Sequence, residues 1–278
     1  MHRTGLILVL TAALAWSTSG LFTRALTLEA PTILLWRGLY GAIGLAALLV
    51  ALPATGGPGS LLRLGRPGLA YAGVTALSML LFVSALLTTT VAHVAILTAT
   101  VPIVAGLLGW LFLADRPGRS AMLASLAALT GVAVMAGWGN DGTWTGDGLA
   151  LGMAVCMGGM ILISRRNPGI PALAATAVAS GIGALAVLPF ATTGVDAGDI
   201  ALLAAFALVN QVLGFGAFAI GARYLPPMET ALVTALDAPL APLWVWLFLS
   251  ETPSRATLAG GAIVMVAVVA QTVKAGRA

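Results

Sequence analysis

Long apolar runs that do not alternate constrain this chain more than any other feature. Ten of them, each about 18–24 residues, follow one another with only short breaks, which is the length a helix needs to cross the hydrocarbon of a bilayer. Of the 278 residues, 60% are hydrophobic and 8% charged, where a soluble domain is about a quarter charged. A water-soluble fold of this size cannot hide so much apolar surface, so lipid is the expected solvent. Only helices and closed barrels satisfy their own backbone there, and the lack of alternation selects helices.

The expected fold is an all-α polytopic membrane protein. Turn and charge markers place its ten transmembrane helices near 5–23, 32–52, 68–87, 91–113, 119–138, 147–164, 171–190, 199–222, 228–249 and 256–273. The first run follows His2 and Arg3 and lacks a convincing small-residue cleavage site, so it reads as a retained helix rather than a signal peptide. With the N-terminus in the cytoplasm, ten of the thirteen basic residues fall inside: Arg3, Arg63, Arg66, Arg116, Arg119, Arg165, Arg166, Arg223, Lys274 and Arg277. Arg24 and Arg255 fall outside and Arg37 within the second span. Glu29, Asp141, Asp147, Asp196, Asp199 and Glu251 also fall outside. This bias predicts both termini in the cytoplasm of a cytoplasmic-membrane protein. Tryptophans 36, 110, 138, 144, 244 and 246 lie near span ends and read as an interfacial belt.

Composition also narrows function. Cys156 stands alone, so no internal disulfide or cysteine metal cluster is expected. His2 and His93 have no ligand-like neighbours in sequence. Basic residues never run longer than Arg165-Arg166, which argues against a nucleic-acid partner. No G-x-x-x-x-G-K-[ST] occurs, so no ATP site is expected. No cofactor and no metal are expected, and nothing requires an oligomer.

The halves repeat. "WLFLADRPGR" (110–119) and "WLFLSETPSR" (246–255) share six of ten positions, 136 residues apart. Upstream, "ILTATVPIVA" (96–105) resembles "LVTALDAPLA" (232–241), with one residue of slippage before the proline. The chain thus divides into 1–139 and 140–278, five spans each, within one membrane domain. Five is odd, so the second copy enters from the opposite side, an inverted repeat of the kind found in secondary transporters.

With these features the chain resembles the drug/metabolite transporter superfamily, EamA type. "AALAWSTSGLFTRAL", "PTILLWRGLYGAIG" and the "LFLADRP" and "LFLSETP" ends, with Asp115 and Glu251, carry the resemblance. Within that superfamily it is most similar to the YddG-type exporters of aromatic amino acids. The resemblance implies a transporter rather than an enzyme, exporting aromatic and other neutral amino acids by alternating access. A drug or another small metabolite is the alternative cargo. In one respect the chain departs from related small multidrug transporters: its first span has no glutamate for proton exchange.

Counting inward at about 1.5 Å per residue, several polar, aromatic and thioether side chains reach one middle level. They are Trp16 and Ser17, Ser78 and Met79, Met157 and Met160, and Asn210 and Gln211, with Thr234 and Asp237 in span nine. Spans one, three, six, eight and nine are therefore expected to enclose a substrate cavity, and spans five, seven and ten to serve as packing. Asn210 and Gln211 point about 100° apart, so one of them is expected to face it. Each residue also has a plainer reading. The hydroxyls of 17–19 bond to helix carbonyls in many membrane proteins, and methionines fill cores. Arg37 either snorkels to the outer surface or pairs with an acidic group or with helix carbonyls. Gly38, Gly41 and Gly44, and the pair Gly148 and Gly152, read as close-packing faces.

An aspartate at a helix centre costs about 2.5–3.5 kcal/mol on insertion. Thr230, Thr234, Asp237 and Ala241 form one polar stripe. Pro239 and Pro242 cannot donate to the carbonyls of Ala235 and Ala238, so a kink is expected there. In the first repeat Pro102 matches, and Asp237 falls at Val101 or Thr100. Pro102, Pro239 and Pro242 are the expected hinges. Three roles are open to Asp237: attracting a substrate ammonium, carrying a coupling proton, or bonding to Thr, Asn210 or Gln211 as a structural acid.

Overall fold

The computed structural model describes residues 2–52, 56–89, 91–136, 143–249 and 254–275. Trp138, Asp141, Glu251 and Arg277 lie outside the described residues. The described chain is helical throughout, and eight of its helices are long and apolar enough to cross a membrane. The two remaining expected spans fall on the 24-residue helix α4 (Gly65–Thr88) and on a shorter apolar helix within α7 (Arg119–Ala136).

Several spans are not single helices. The first breaks into α1 (His2–Ser17) and α2 (Ser19–Ala25), and the next is α3 (Ala30–Ala51). The fourth is α5 (Val91–Thr98) and α6 (Val101–Leu113), and the ninth is α12 (Pro227–Thr234) and α13 (Asp237–Leu249). These four pieces match at the offset of 136 residues at every boundary: 91 with 227, 98 with 234, 101 with 237, and 113 with 249. Asp237 is thereby the counterpart of Val101, one of the two positions expected.

The prolines explain where the second halves begin, and they correct the expected kink. Pro102 lies in the first turn of α6, where a missing N–H costs nothing. It cannot bond the carbonyl of Thr98, four residues back, where α5 ends. Pro239 likewise falls in the first turn of α13. The break in span nine therefore sits before it, at Ala235 and Leu236, and α13 continues through Pro242. α6 closes at Ala114, which takes the left-handed conformation (φ 55°) while its N–H bonds to the Gly109 carbonyl.

The remaining helices are α8 (Trp144–Arg166), α9 (Ala172–Val187) and α14 (Arg255–Ala275). The eighth span runs from α10 (Ala197–Phe206) through a π-helical segment, Ala207–Phe215, into α11 (Gly216–Gly221). α1 packs against α11, α12, α13 and the π segment. α3 packs on α9, α4 on α8 and α9, α6 on α12, and α7 on α14. Close glycines set these contacts. A Cβ added at Gly131 would lie 2.7 Å from the Gly260 carbonyl oxygen and 2.8 Å from Val264, and one at Gly260 would meet Met135. Gly131 thus faces Val264 while Met135 faces Gly260, so α7 and α14 run antiparallel. The expected glycine face of α3 is also real, since Gly38 abuts Ala184 and Ser180, Gly41 abuts Gln211, and Gly44 abuts Val212. The pair on α8 is not, because Gly148 has open space around it and Gly152 meets only Leu81.

The ends of the bundle are stitched by polar contacts that sequence spacing does not reveal. At one end the ring of His2 meets the Glu229 carboxylate at 3.0 Å, and Arg165 and Arg223 donate to the carbonyls of Arg223 and Pro168. At the other end His93 meets Asp147 at 3.0 Å, Thr89 donates to the same carboxylate, and the Thr192 N–H donates to Thr32. Both histidines therefore have distant carboxylate partners. Gly260→Leu is expected to lower the stability of the purified protein by about 1–3 kcal/mol through overpacking, while Gly148→Ala leaves it unchanged. Thermal unfolding of both variants in detergent checks the contrast.

Candidate functional site

Most of the residues singled out in the sequence fall into three places. The first is a hydrogen-bonded cluster where α1 breaks. Trp16 is the last full turn of α1, and three hydroxyls follow it. Ser17, Thr18 and Ser19 each donate to a carbonyl three residues back, at 2.7, 2.6 and 2.6 Å. Such local bonds satisfy the backbone where the helix is interrupted. The same oxygens also serve their neighbours. The Trp244 indole N–H donates to Ser17 Oγ at 2.7 Å, and the Asn210 amide donates to Ser19 Oγ at 2.6 Å. Trp16 donates to the Asn210 carbonyl at 3.2 Å and packs at 4.8 Å from the Phe215 ring and 5.2 Å from Phe218. The π-helical turn makes that carbonyl accessible. Gly214 leaves the room for the indole, since a Cβ there would sit 2.7 Å from its nitrogen.

Trp244 departs from its reading as an interfacial anchor, for its indole is turned into this cluster. Trp110, Trp144 and Trp246 are exposed on the bundle, as belt residues would be, and Trp36 packs against Tyr40.

The second place is a crevice between α3, α4, α9 and the π segment. Arg37, Met79, Ser180 and Gln211 line it, and its volume of about 10 Å³ has room for about one water molecule. Arg37 does not snorkel. Its Nη1 donates to Asn210 Oδ1 at 3.4 Å, and its guanidinium lies 5.3 Å from the Phe206 ring. The two adjacent amides therefore divide, Asn210 to the cluster and Gln211 to the crevice. α9, expected to be packing alone, contributes Ser180.

The third place is the break in span nine. Thr230 and Thr234 donate to the carbonyls of Pro226 and Ala231, so the expected polar stripe is mostly turned back on its own helix. Thr98, the counterpart of Thr234, does the same to Val94. Asp237 is half-buried, and the Ala238 N–H beside it donates to the Ala235 carbonyl at 3.4 Å. It shares a face of α13 with Trp244, seven residues on and about 10 Å along the axis. Pro239 and Pro242 instead face α14 across a groove of about 140 Å³. The breaks of both repeats meet α1 in one apolar cluster, which holds Ala99, Leu236, Val9 and Ala13.

Met160 is core. It accepts from the Thr75 hydroxyl at 3.0 Å and packs with Val101 and Ala105, with Met157 and Trp16 at the cluster's edge. Ser78 is buried on α4. The ten side chains thus do not line one common cavity among the described residues.

Comparison with known proteins settles the family. The EamA-like transporter family matches residues 3–137 and again 144–272, one match in each half. The chain belongs to the EamA-like transporter family. It is therefore a multi-pass membrane transporter of the drug/metabolite superfamily, with a small-molecule substrate and a lipid surround. A solved crystal structure aligns over 98% of this chain and 99% of its own, with a TM-score of 0.86 and 20% identity, a likeness of fold alone. No curated protein matches the sequence.

The indole–hydroxyl bond between α13 and α1 gives a direct check on the cluster. Trp244→Phe and Ser17→Ala are each expected to destabilise, and the double variant less than their sum, with a coupling of about 0.5–1.5 kcal/mol. Unfolding of the purified single and double variants measures it, and strict additivity would show that the bond contributes nothing.

Proposed function

We propose that this EamA-family transporter exports amino acids, aromatic and other neutral ones, from the cytoplasm by alternating access. The observation that carries the reading is the pair of interrupted helices at matching positions in the two halves. Interrupted segments in corresponding positions are where secondary transporters place their substrates. In this chain they converge on α1, beside a cluster rich in hydrogen-bonding groups. The aromatic wall of Trp16, Phe215 and Phe218 favours cargo with flat apolar side chains. Adaptable Met79 and Met157 favour the second reading, export of drugs or other small metabolites.

In this reading there are ten spans in two inverted five-helix repeats, both termini are cytoplasmic, and the membrane is the inner one. Antiparallel packing of α7 on its counterpart α14 supports the inversion. The two stitched ends support the polarity: His2, Arg165 and Arg223 share one end, and Asp147 lies at the other. The bundle opens by movement of α6 and α13 about the breaks ahead of Pro102, Pro239 and Pro242. Trp16, Ser17, Asn210, Gln211 and Asp237 contact the substrate as the halves part, with Thr234, Ser78, Met79, Met157 and Met160 behind them.

Counterflow into proteoliposomes loaded with single amino acids tests the reading. Saturable uptake of aromatic amino acids is expected. Uptake of drugs with no amino acid exchanged would leave only the second reading. Asp237→Asn is expected to abolish counterflow with its thermal unfolding unchanged. Wild-type rates in that variant would remove both functional roles of Asp237 and leave it a structural acid.

A further inference from the structure

We propose that the crevice between α3, α4, α9 and the π segment is the subsite for the carboxylate of the transported amino acid, with Arg37 as its cation. The inference rests on the amino-acid reading above and adds a place and a chemistry to it.

Three buried polar atoms point to a missing ligand. Arg37 Nε, Ser180 Oγ and Gln211 Oε1 are each buried with no hydrogen-bond partner among the described residues. All three residues line this one crevice. Ser180 is 0% exposed and Gln211 1%, so bulk water does not serve them. Orphaned groups are rare in native interiors, and three at one place are an arrangement awaiting a partner.

The chemistry of the partner follows from the donors. Among the described residues no carboxylate pairs with Arg37. Its one hydrogen bond among the described residues is the long one from Nη1 to the Asn210 amide oxygen. That bond leaves the edge formed by Nε and Nη2, which is a fork suited to the two oxygens of a carboxylate. The Ser180 hydroxyl adds a donor. The Gln211 amide offers donors or an acceptor according to how it turns. The remaining walls, including Met79, Leu80 and Val187, are apolar. They exclude water and strengthen any charge pair formed there.

Position agrees with chemistry. Gln211 lines the crevice, and its neighbour Asn210 bonds both Arg37 and Ser19, which links the crevice to the Trp16 cluster. Gly41 presses on Gln211, and Gly38 lets α9 approach, so the crevice is held by tight packing. Its present room for about one water means that the carboxylate enters as the halves part.

The test compares phenylalanine, its methyl ester and phenethylamine as counterflow substrates. The wild type is expected to prefer phenylalanine over both analogues. Arg37→Gln is expected to lose roughly tenfold or more of that preference, while still exchanging the analogues, which also shows that it is folded. Arg37→Lys keeps the charge without the fork and falls between. If Arg37→Gln does not fold, Ser180→Ala decides, with a smaller loss of preference expected. An undiminished preference for phenylalanine in the folded variants would overturn the carboxylate subsite alone and assign the crevice to a structural water. A wild type that exchanges no amino acid would overturn the transport reading and the subsite with it.

Discussion

No water is at hand inside a bilayer, so each interrupted helix and each polar side chain must find its partner in protein. That constraint organises the molecule. Where α1 breaks, three successive hydroxyls bond the carbonyls behind them and then accept from Trp244 and Asn210. Where spans four and nine break, Thr98 and Thr234 turn back on their own helices. The π segment spends its irregular turn on Trp16. The departures from regular helix are thus gathered around α1, where each supplies what another lacks. The crevice beside Arg37 is an exception, and its three orphaned groups in one place are the most informative feature of the interior.

The two halves share geometry more fully than chemistry. The broken helices coincide at every boundary, yet Val101 packs in the core while its counterpart Asp237 does not. Proline positions differ by one residue between the copies, and both fall in a first turn. The shared element is therefore the interruption, and the carboxyl group belongs to one copy. In the proposed mechanism such an asymmetry allows one broken helix to sense cargo or protons while its twin provides a matching joint.

Much of the fold was legible because lipid imposes a simple code. Apolar length marked the helices, and the repeated "WLFL" segments gave the offset that the helix boundaries obey. Glycines on α3 announced close packing correctly, whereas those on α8 did not, because a G-x-x-x-G says nothing about what lies opposite. The candidate site was only partly legible. Depth along a helix can be counted, but direction around it cannot. Met160 proved to be core, and Trp244 proved to turn inward. Prolines signalled irregular backbone in span nine, but a proline in a first turn places the break before itself rather than at itself. Arg37 follows neither of its two sequence readings: it turns inward to the side-chain amide of Asn210, which a π-helical turn with no sequence mark of its own presents. The pairs His2 with Glu229 and His93 with Asp147 join distant positions and left no local signal.

The central claim is that the two halves enter the membrane from opposite sides and meet at their interrupted helices. Gly118 and Ser254 occupy equivalent exposed positions just after the two copies of that helix. In a variant with Cys156 replaced by alanine, each is changed singly to cysteine and treated in intact cells with a membrane-impermeant thiol reagent. The account predicts that Ser254→Cys is labelled from outside and Gly118→Cys only after the cells are opened. Labelling of both from the same side would contradict it.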